Sequence, residues 1–531
     1  MKRPPQESHR PLVFGRTGMI ASGHPLASWI GATVLREGGN AIDAMVAAGA
    51  AMGVLRPHMS GLGGDALTLI YLAQEQRLVA LEGLGTAPQK SLGAFRSAGL
   101  ARVPDQGLLS ATVPAAVKAW TRALERYGTR PLASLLAPAV ALAEEGFPVS
   151  KKLATDIAEY VSQLSASPHA RALFLPTGVP LRPGEKLVQK DLAQTLARLA
   201  QDGDAVFYRG EIGGAIADFC HRHGGLLSRE DFAAYDVRWV EPVSGSYRGS
   251  VICAFPPPSQ GIALLVALHM LEAFDPGKLR WGDWIHLQVE AKKLAFADRD
   301  RFVGDPDRTA LPVAHLLSPR YADARRALID PRRPTRRVRP GDPWTVGGET
   351  TYLAVADRMG NLVSHMQSIF APFGSGVVAG KTGIILNNRL SGFSLDGGVN
   401  QLEPGRRPFH TLTPILLFAH GQPLVALGTP GAHGQVQSLL QIVSYLLDYG
   451  FDLQEAIEVS RWRHERGTGL LMEARVPPAV RQGLSRRGYR ILLEPAWAWQ
   501  MGGAQGILLD PHTGFLRGAA DPRREGYALG W

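Results

Sequence analysis

Cysteine is scarce in this sequence. Only Cys220 and Cys253 occur among 531 residues. Two cysteines in a chain of this length give neither a disulfide framework nor the paired spacing of a zinc site. We expect both to be free thiols in a reducing compartment, which predicts a cytoplasmic protein.

Long apolar runs are also absent. The chain contains no stretch of about 18 consecutive apolar residues, so the sequence predicts no membrane-spanning helix. Residues 1–10 are basic, but no apolar segment follows them, and we therefore predict no secretory signal peptide. Both absences predict a protein without a membrane partner.

Several catalytic and metal-binding motifs are missing. The sequence has no H-E-x-x-H, C-x-x-C or EF-hand pattern, and its 15 histidines are scattered. We therefore predict no metal and no cofactor. The G-x-S-x-G pattern is absent as well, which disfavours a serine enzyme of the α/β-hydrolase type.

The chain is basic, with a net charge of +10, and part of this charge is local. Seven arginines lie between residues 325 and 339, in a segment rich in proline. Nucleic-acid binding was the alternative, but no aromatic residues interleave with these arginines. The segment is interpreted as a solvated linker, and we predict no nucleic-acid partner.

Apolar patterning predicts a large α/β (α+β) protein. Hydrophobic residues make up 45% of the chain, which is enough for a sizeable core. Residues 113–304 show mainly helical periodicity, whereas alternating, strand-like segments dominate after residue 350. Helices are also predicted at 25–36, 41–54 and 435–447, on both sides of the strand-rich stretches, and this arrangement predicts layered packing.

The most informative stretch begins at Thr350. Thr351, Leu353 and Val355 alternate with Thr350 and the residues between them, which predicts a strand directly behind the arginine- and proline-rich segment. A cut at the Glu349–Thr350 bond gives Thr350 a free amine beside its own hydroxyl. That pair is one known way of activating a weak nucleophile, although a threonine pair at a strand start is more often structural.

A second candidate element is the glycine-rich segment 428–434. A predicted strand precedes it and a predicted helix follows it. Such a turn directs backbone N–H groups and the positive end of a helix dipole at one point, as an oxyanion hole requires. An ordinary strand–turn–helix connection is the alternative.

Short motifs are spread along nearly the whole chain. In order, they are G-G-N-A-I-D-A at 38–44, P-H-M-S-G-L-G-G at 57–64, L-A-P-A at 136–139, A-E-E-G-F at 143–147, F-A-D-R at 296–299, G-D-P at 304–306, T-T at 350–351, F-G-S-G at 373–376, L-N-N at 386–388, T-P-G at 429–431 and G-A-A-D-P-R-R at 518–524. In this order and combination they resemble the γ-glutamyltranspeptidase family of N-terminal-nucleophile (Ntn) hydrolases.

This resemblance implies a four-layer αββα sandwich made as a proenzyme. Self-cleavage at Glu349–Thr350 would give a large segment, 1–349, and a small segment, 350–531, intertwined in one fold. Thr350 is implied as the nucleophile, with its freed amine as the base. Thr351 and Ser368 fall where the family places hydroxyls that steer the nucleophile. The oxyanion-hole pair is implied at Gly431 and Ala432.

The sequence departs from the family where γ-glutamyl groups are recognised. The family's carboxylate-binding arginine is replaced by Leu84, and an expected asparagine by Phe370. The family's Gln and Asp, which hold the substrate ammonium, are Arg389 and Gly392, and its paired serines are His410 and Thr411. Since an ammonium needs acceptors, we predict that the acyl group is not a free glutamyl group.

We therefore expect an autoprocessing amidohydrolase that resembles the amidohydrolase and acylase branch of the family, whose members act on oxamate-like amides or β-lactam acyl side chains. A small substrate bearing a carboxylate is preferred, with Arg389 and His410 as its new anchor; a surface role for Arg389 is the alternative. The other hypotheses are a γ-glutamyltransferase or glutathione hydrolase with a rebuilt pocket, a cephalosporin-type acylase, and an unprocessed binding protein. Assembly into a dimer of heterodimers is also expected.

Overall fold

The computed structural model describes residues 3–336, 338 and 349–531. The predicted linker, 331–349, therefore lies partly outside the described residues. The chain folds into two large sheets with helices on both outer faces. Among the described residues, no helix combines the length and the apolar character that a bilayer crossing requires.

The strands, in chain order, are β1 Val13–Gly15, β2 Met19–Ser22, β3 Asp65–Leu72, β4 Arg77–Gly83, β5 Phe147–Pro148, β6 Lys186–Leu187, β7 Arg238–Val240, β8 Val243–Tyr247, β9 Ser250–Ala254, β10 Glu349–Ala356, β11 Leu362–Phe370, β12 Ile415–Ala419, β13 Gln422–Gly428, β14 Trp462–His464, β15 Gly469–Glu473, β16 Arg490–Glu494, β17 Gln505–Leu509, β18 Leu516–Ala520 and β19 Tyr527–Gly530.

The α-helices are α1 Pro25–Arg36, α2 Ala41–Leu55, α3 Ser91–Ser97, α4 Ala116–Tyr127, α5 Leu132–Glu145, α6 Lys151–Glu159, α7 Val161–Ser165, α8 Pro168–Phe174, α9 Lys190–Asp202, α10 Ala205–Tyr208, α11 Glu211–Arg222, α12 Arg229–Ala233, α13 Gly261–Leu271, α14 Trp281–Phe302, α15 Val313–Leu316, α16 Pro319–Arg326, α17 Gly434–Tyr449, α18 Leu453–Glu458 and α19 Pro478–Arg487. Short 3-10 turns lie at Leu108–Ser110, Pro276–Lys278, Gly380–Thr382, Arg389–Gly392 and Trp499–Met501.

Each large sheet has seven strands paired antiparallel. The first sheet has the order β1-β18-β17-β13-β12-β9-β8, and the second has the order β19-β2-β10-β11-β3-β4-β7. Both sheets therefore combine strands from before and after residue 349. The two parts of the chain therefore share both sheets.

The strand β10 shows how the sheets pack. Tyr352 and Ala354 point into the core between the two sheets, together with Met366 of β11. Leu353 and Val355 point to the opposite face, where they join the core beneath the outer helices. This is the predicted period-two alternation, and it buries both faces of the strand.

Helical layers close both outer faces. The alanine-rich helix α2 is buried along its whole length and packs in the cluster beneath the second sheet. Asn40 caps it, as predicted, by accepting hydrogen bonds from the amides of Ile42 and Asp43. Helices α13, α14 and α17 cover the first sheet. The order helix, sheet, sheet, helix confirms the predicted αββα sandwich.

Candidate active site

Thr350 lies at an irregularity in the pairing of β10 with β11. Glu349 pairs with Phe370, but Thr351 already pairs with Gln367, so the register shifts across Thr350. Two residues of β11, Ser368 and Ile369, therefore oppose one residue of β10. A bulge of this kind re-aims side chains, and here it turns the Ser368 hydroxyl towards Thr350.

The Thr350 hydroxyl is buried among hydrogen-bonding groups. Its Oγ1 donates to Ser368 Oγ at 3.3 Å and accepts from Gln435 Nε2 at a long 3.5 Å. Ser368 Oγ also accepts from the amide of Phe370 at 2.9 Å, which fixes its position. The Thr351 hydroxyl instead donates to the backbone carbonyl of Gln367 at 3.2 Å. Thr350 thus has two polar partners that can orient its oxygen.

The turn at Gly431 and Ala432 follows β13 and leads into α17. Both residues have positive φ angles, +125° for Gly431 and +48° for Ala432. Within the described residues their amides donate to no acceptor, whereas the amide of Gln435 bonds back to the carbonyl of Ala432 at 3.1 Å. The same Gln435 reaches Thr350. Among the described residues, both amides are therefore available as donors in the turn that leads to Gln435, and two such backbone donors are what an oxyanion hole requires.

Two buried glutamines hold this turn in place. Gln260 Nε2 donates to the carbonyls of Ala432 at 2.9 Å and Thr411 at 2.7 Å. Gln435 Oε1 accepts from the amide of Thr413 at 3.0 Å. Neither glutamine stands out in the sequence, since each follows a glycine- or proline-rich loop that has an ordinary interpretation as a helix entry. Their positioning role becomes visible only when distant loops are brought together.

Arg389 lies beneath Phe370, beside Ser368, and is fully buried, so the interpretation as a surface arginine is wrong. Its Nε donates to Asp65 Oδ2 at 3.2 Å, and its guanidinium stacks on the Phe370 ring at 4.2 Å. The terminal nitrogens make only long contacts, NH2 to Ser368 Oγ at 3.4 Å and NH1 to Thr411 Oγ1 at 3.5 Å. Burial lowers the pKa of Arg389 to about 10, partly offset by Asp65, and the group remains a cation at neutral pH.

Asp65 connects Arg389 with His410. His410 Nε2 lies 3.1 Å from Asp65 Oδ2, while His410 Nδ1 accepts from the amide of Leu412, so the neutral ring donates from Nε2. Burial and the charge of Arg389 lower the pKa of His410 to about 4. Burial would raise the pKa of Asp65, but the hydrogen bond from His410 and the charge of Arg389 hold it below its usual value. The result is a buried ionised pair with a neutral histidine.

A cavity of about 300 Å³ opens beside these groups. Phe370 and Thr411 line it, together with Phe409, Arg299 and His433. Residues 397–400, in the segment between the 3-10 turn at Arg389–Gly392 and β12, form part of its wall. The structure thus joins two of the predicted substrate-binding residues to a space large enough for an acyl group.

His410, Arg389 and Leu84 do not line this cavity directly. Leu84 is buried in the core between the sheets, and its carbonyl accepts from the Tyr235 hydroxyl at 2.9 Å. The neighbouring amide of Gly85 donates to Asp65 Oδ1 at 2.7 Å. The segment around Leu84 therefore supports the site through its backbone, while the leucine side chain supplies no charge.

His433 is a cavity residue that had no predicted role. Arg299 NH1 donates to its Nδ1 at 3.1 Å, and because arginine can only donate, the ring proton lies on Nε2. Burial and the charge of Arg299 lower the pKa of His433 well below its usual value, so the ring is neutral. The ring also stacks on Phe409, with a centroid separation of 6.1 Å. His433 adjoins Ala432 in sequence and presents one N–H donor near the oxyanion turn.

The described residues contain no cluster of three or more His, Cys, Asp or Glu side chains arranged to hold a metal ion. Cys220 and Cys253 are both buried free thiols in the structure.

The fold and the buried hydroxyl of Thr350 define the class of protein. A four-layer αββα sandwich with a hydroxyl residue at the start of an inner strand is the arrangement of an Ntn hydrolase. The family model "Gamma-glutamyltranspeptidase" matches residues 27–531. The chain belongs to the γ-glutamyltranspeptidase family and is an enzyme of that family.

Relatives with different substrates resemble this chain over nearly its full length. The Acylase ACY 1 proenzyme of Pseudomonas sp. (strain SE83) is 39% identical, over 96% of this chain and 93% of the relative. The oxamate amidohydrolase proenzyme of Klebsiella pneumoniae is 35% identical, over 97% of this chain and 98% of the relative. The crystal structure of cephalosporin acylase from Bacillus halodurans superimposes with a TM-score of 0.93 at 37% identity, over 100% of this chain and 98% of the acylase chain. These relatives are thus named as acylases and as an oxamate amidohydrolase.

Proposed function

We propose that this protein is an autoprocessing N-terminal-threonine amidohydrolase. In the precursor, Thr350 Oγ1 attacks the Glu349 carbonyl, the peptide shifts from nitrogen to oxygen, and water releases the segments 1–349 and 350–531. The observation that carries this proposal is the position of the Thr350 hydroxyl, between Ser368 Oγ and Gln435 Nε2, at a bulged strand start. Relatives named as proenzymes support it.

The same groups can then hydrolyse an amide. The freed amine of Thr350 takes the hydroxyl proton, and Oγ1 attacks the substrate carbonyl. The amides of Gly431 and Ala432 stabilise the oxyanion, a contribution of about 3 kcal/mol for each donor. The amine of the substrate takes this proton and leaves. Water then attacks the acyl–threonine ester; the Thr350 amine takes a proton from the water and returns it to Oγ1, which releases the acid. Ser368 and Gln435 keep Oγ1 oriented both when the acyl–threonine ester forms and when water cleaves it.

For the substrate, we propose a small amide with a carboxylate next to the scissile carbonyl, as in oxamate. Arg389 NH2 lies 3.4 Å from Ser368 Oγ, which itself lies 3.3 Å from Thr350 Oγ1. A substrate carboxylate could replace Ser368 and Thr411 as the partner of the Arg389 terminal nitrogens. Because these nitrogens lie so close to Thr350 Oγ1, that carboxylate must be only one or two bonds from the carbonyl carbon that Oγ1 attacks. Arginine suits this role because its fork donates two parallel hydrogen bonds.

A larger acyl group is the second candidate, in a cephalosporin-type acylase. The cavity of about 300 Å³ favours it, because Phe370, Phe409, Val303 and Val399 give the lining an apolar character. The likeness to acylases over nearly the whole chain supports it as well. In this case the Nε2–H of His433 would donate to a carbonyl of the acyl group.

A γ-glutamyl substrate fits these residues less well. The described residues at the departing positions, Phe370, Arg389 and Gly392, offer no side-chain acceptor for an α-ammonium. The Arg389 cation also lies where the family holds the positively charged end. A γ-glutamyl enzyme with a rebuilt pocket would need acceptors from elsewhere.

Two experiments test the proposal in sequence. A denaturing gel of purified protein should show two fragments, and Thr350→Ala should leave one band of 57.2 kDa. Processed protein is then assayed with oxamate, with an acylated β-lactam and with a γ-glutamyl anilide. Faster turnover of oxamate supports the small-acid proposal, faster turnover of the β-lactam supports the acylase, and family-typical release from the anilide refutes both. A cytoplasmic location and assembly into dimers of heterodimers remain predictions.

A further inference from the structure

A second cavity, of about 870 Å³, lies far from the candidate active site. It is bordered by the start of α14, the end of α19 and the segment that precedes residue 337. The charged residues of its lining are Arg280, Asp283, Arg332, Arg333, Arg336, Arg486 and Arg487. We call this space the arginine cavity.

The charge in the arginine cavity is almost entirely of one sign. Asp283 is the single carboxylate among the lining residues, and it already pairs with Arg487 at 2.5 Å. Within the described part of the chain, Arg280, Arg333 and Arg486 form no ion pair with a carboxylate, and all three are exposed. Like charges held around a concave surface repel one another and produce a strong positive potential, which an anion relieves.

The backbone of the segment that carries three of these arginines is held on α14, while the arginine side chains are exposed. The Asp330 carbonyl accepts from His286 Nε2 at 2.8 Å. The Thr335 amide donates to Glu290 Oε2 at 3.0 Å, and its carbonyl accepts from Lys293 Nζ at 3.1 Å. These bonds fix the backbone on α14 on both sides of Arg332 and Arg333. The arginines are therefore brought to one cavity by the fold.

The arginine cavity is separate from the amide-cleaving site. It shares no lining residue with the smaller cavity beside Phe370. Gly282 lies at one end of α14 and Arg299 near the other, which places about 25 Å of helix axis between the two cavities at about 1.5 Å per residue. A ligand in the arginine cavity therefore does not touch the substrate.

We propose that the arginine cavity binds a compact polyanion that carries several linked phosphate groups. Guanidinium groups bind phosphate oxygens in pairs of parallel hydrogen bonds. Besides Arg487, five arginines line the cavity, none of them in an ion pair with a carboxylate of the described residues, and their charge matches that of a short phosphate chain. The concave shape and limited volume favour a small molecule over a nucleic-acid duplex, which binds along an extended basic surface. Free nucleotides and inorganic oligophosphates share this chemistry.

Calorimetric titration of the purified protein with inorganic tripolyphosphate tests the proposal. We expect saturable binding with a Kd on the order of 10 μM at about 0.15 M salt. The double variant Arg333→Glu, Arg486→Glu should weaken binding by about 10- to 100-fold. The matched control is Arg96→Glu, Arg171→Glu, which changes the net charge equally at two exposed arginines outside the cavity and should bind like wild type. If charge reversal prevents folding, Arg333→Gln, Arg486→Gln replaces it.

Titrations with ATP and with a DNA duplex, compared with tripolyphosphate, identify which anion the arginine cavity recognises. Equal affinity for ATP and tripolyphosphate identifies the phosphate chain as the recognised group, and higher affinity for ATP adds the nucleoside to it. Absence of saturable binding overturns the proposal. Equal weakening in the control variant overturns it too, since the effect is then one of total charge. Displacement of tripolyphosphate by a DNA duplex of much higher affinity would show a nucleic-acid surface instead.

Discussion

Replacing Arg389 with methionine tests how the candidate site recognises its substrate. The change keeps a long side chain beneath Phe370 but removes the NH1 and NH2 donors that lie beside Ser368 and Thr411. A charge-assisted hydrogen bond contributes about 1.5–3 kcal/mol, so kcat/KM for oxamate should fall by about 10- to 150-fold. Turnover of oxamide, which lacks the carboxylate, should fall by much less.

The same substitution leaves Asp65 without its cation. The two charged atoms lie 3.2 Å apart with both side chains buried, and an effective dielectric constant of about 20 gives an attraction of about 5 kcal/mol. Breaking such a pair by removing one partner costs about 3–5 kcal/mol of stability. The Tm of Arg389→Met should therefore be clearly lower than that of wild type, and lower than that of the variant Asp65→Asn, Arg389→Met, in which both charges are removed.

The double variant also serves as the kinetic control, because a stranded Asp65 carboxylate would itself repel an anionic substrate. Initial rates with oxamate and oxamide are measured on processed wild-type, single-variant and double-variant protein. Selective loss of oxamate turnover in both variants agrees with recognition by Arg389. Equal losses on the two substrates, or recovery of oxamate turnover in the double variant, would refute the reasoning.

Three further predictions concern Ser368, the turn at Gly431 and Ala432, and His365, a buried residue of β11. Ser368→Ala should lower kcat by about 10- to 100-fold with little change in KM, because the nucleophile loses its orienting partner; unchanged kcat contradicts that role. Gly431→Ala, at φ +125°, should displace an oxyanion donor and lower kcat by about 10²–10³, whereas Ala432→Gly, at φ +48°, should keep activity and raise Tm slightly. Burial lowers the pKa of His365 to about 4, so the unfolded chain binds the extra proton first. Stability should therefore be lost as pH falls from about 6.5 to about 4, by up to about 3 kcal/mol, and His365→Gln should flatten this slope in Tm measured against pH.

The strand at Thr350 shows what local sequence can predict. Its alternation depends on side chains two residues apart, so the faces of Tyr352 and Leu353 follow from the sequence alone. The bulge that aims Ser368 at Thr350 does not, because the register depends on how β11 pairs across the sheet. The hydroxyl pair was therefore expected from family resemblance, while its geometry required the structure.

The environment of Arg389 could not be predicted from the neighbouring residues, because its partner is distant in the chain. Its counter-ion, Asp65, is separated from it by 324 positions in the sequence. The sequence indicated a cation without a partner, and a carboxylate substrate was inferred to fill that place. In the structure Asp65 already compensates the charge, and His410, predicted as a second anchor, is a neutral donor to the same carboxylate. Nothing in the residues next to Arg389 signals this pairing.

Because Asp65 compensates the charge of Arg389, the site has to select a carboxylate substrate by geometry and not by net charge. Because Asp65 and Arg389 together carry no net charge, the pocket offers little long-range attraction for anions. Selectivity must come instead from the directions of the two terminal nitrogens of Arg389, which contact Ser368 and Thr411 only at 3.4 and 3.5 Å. A carboxylate that reaches both nitrogens while its carbonyl lies at Thr350 must be short. By this reasoning, lengthening the acid by one methylene should cost more activity than neutralising it, whereas a pocket that works by charge would show the reverse.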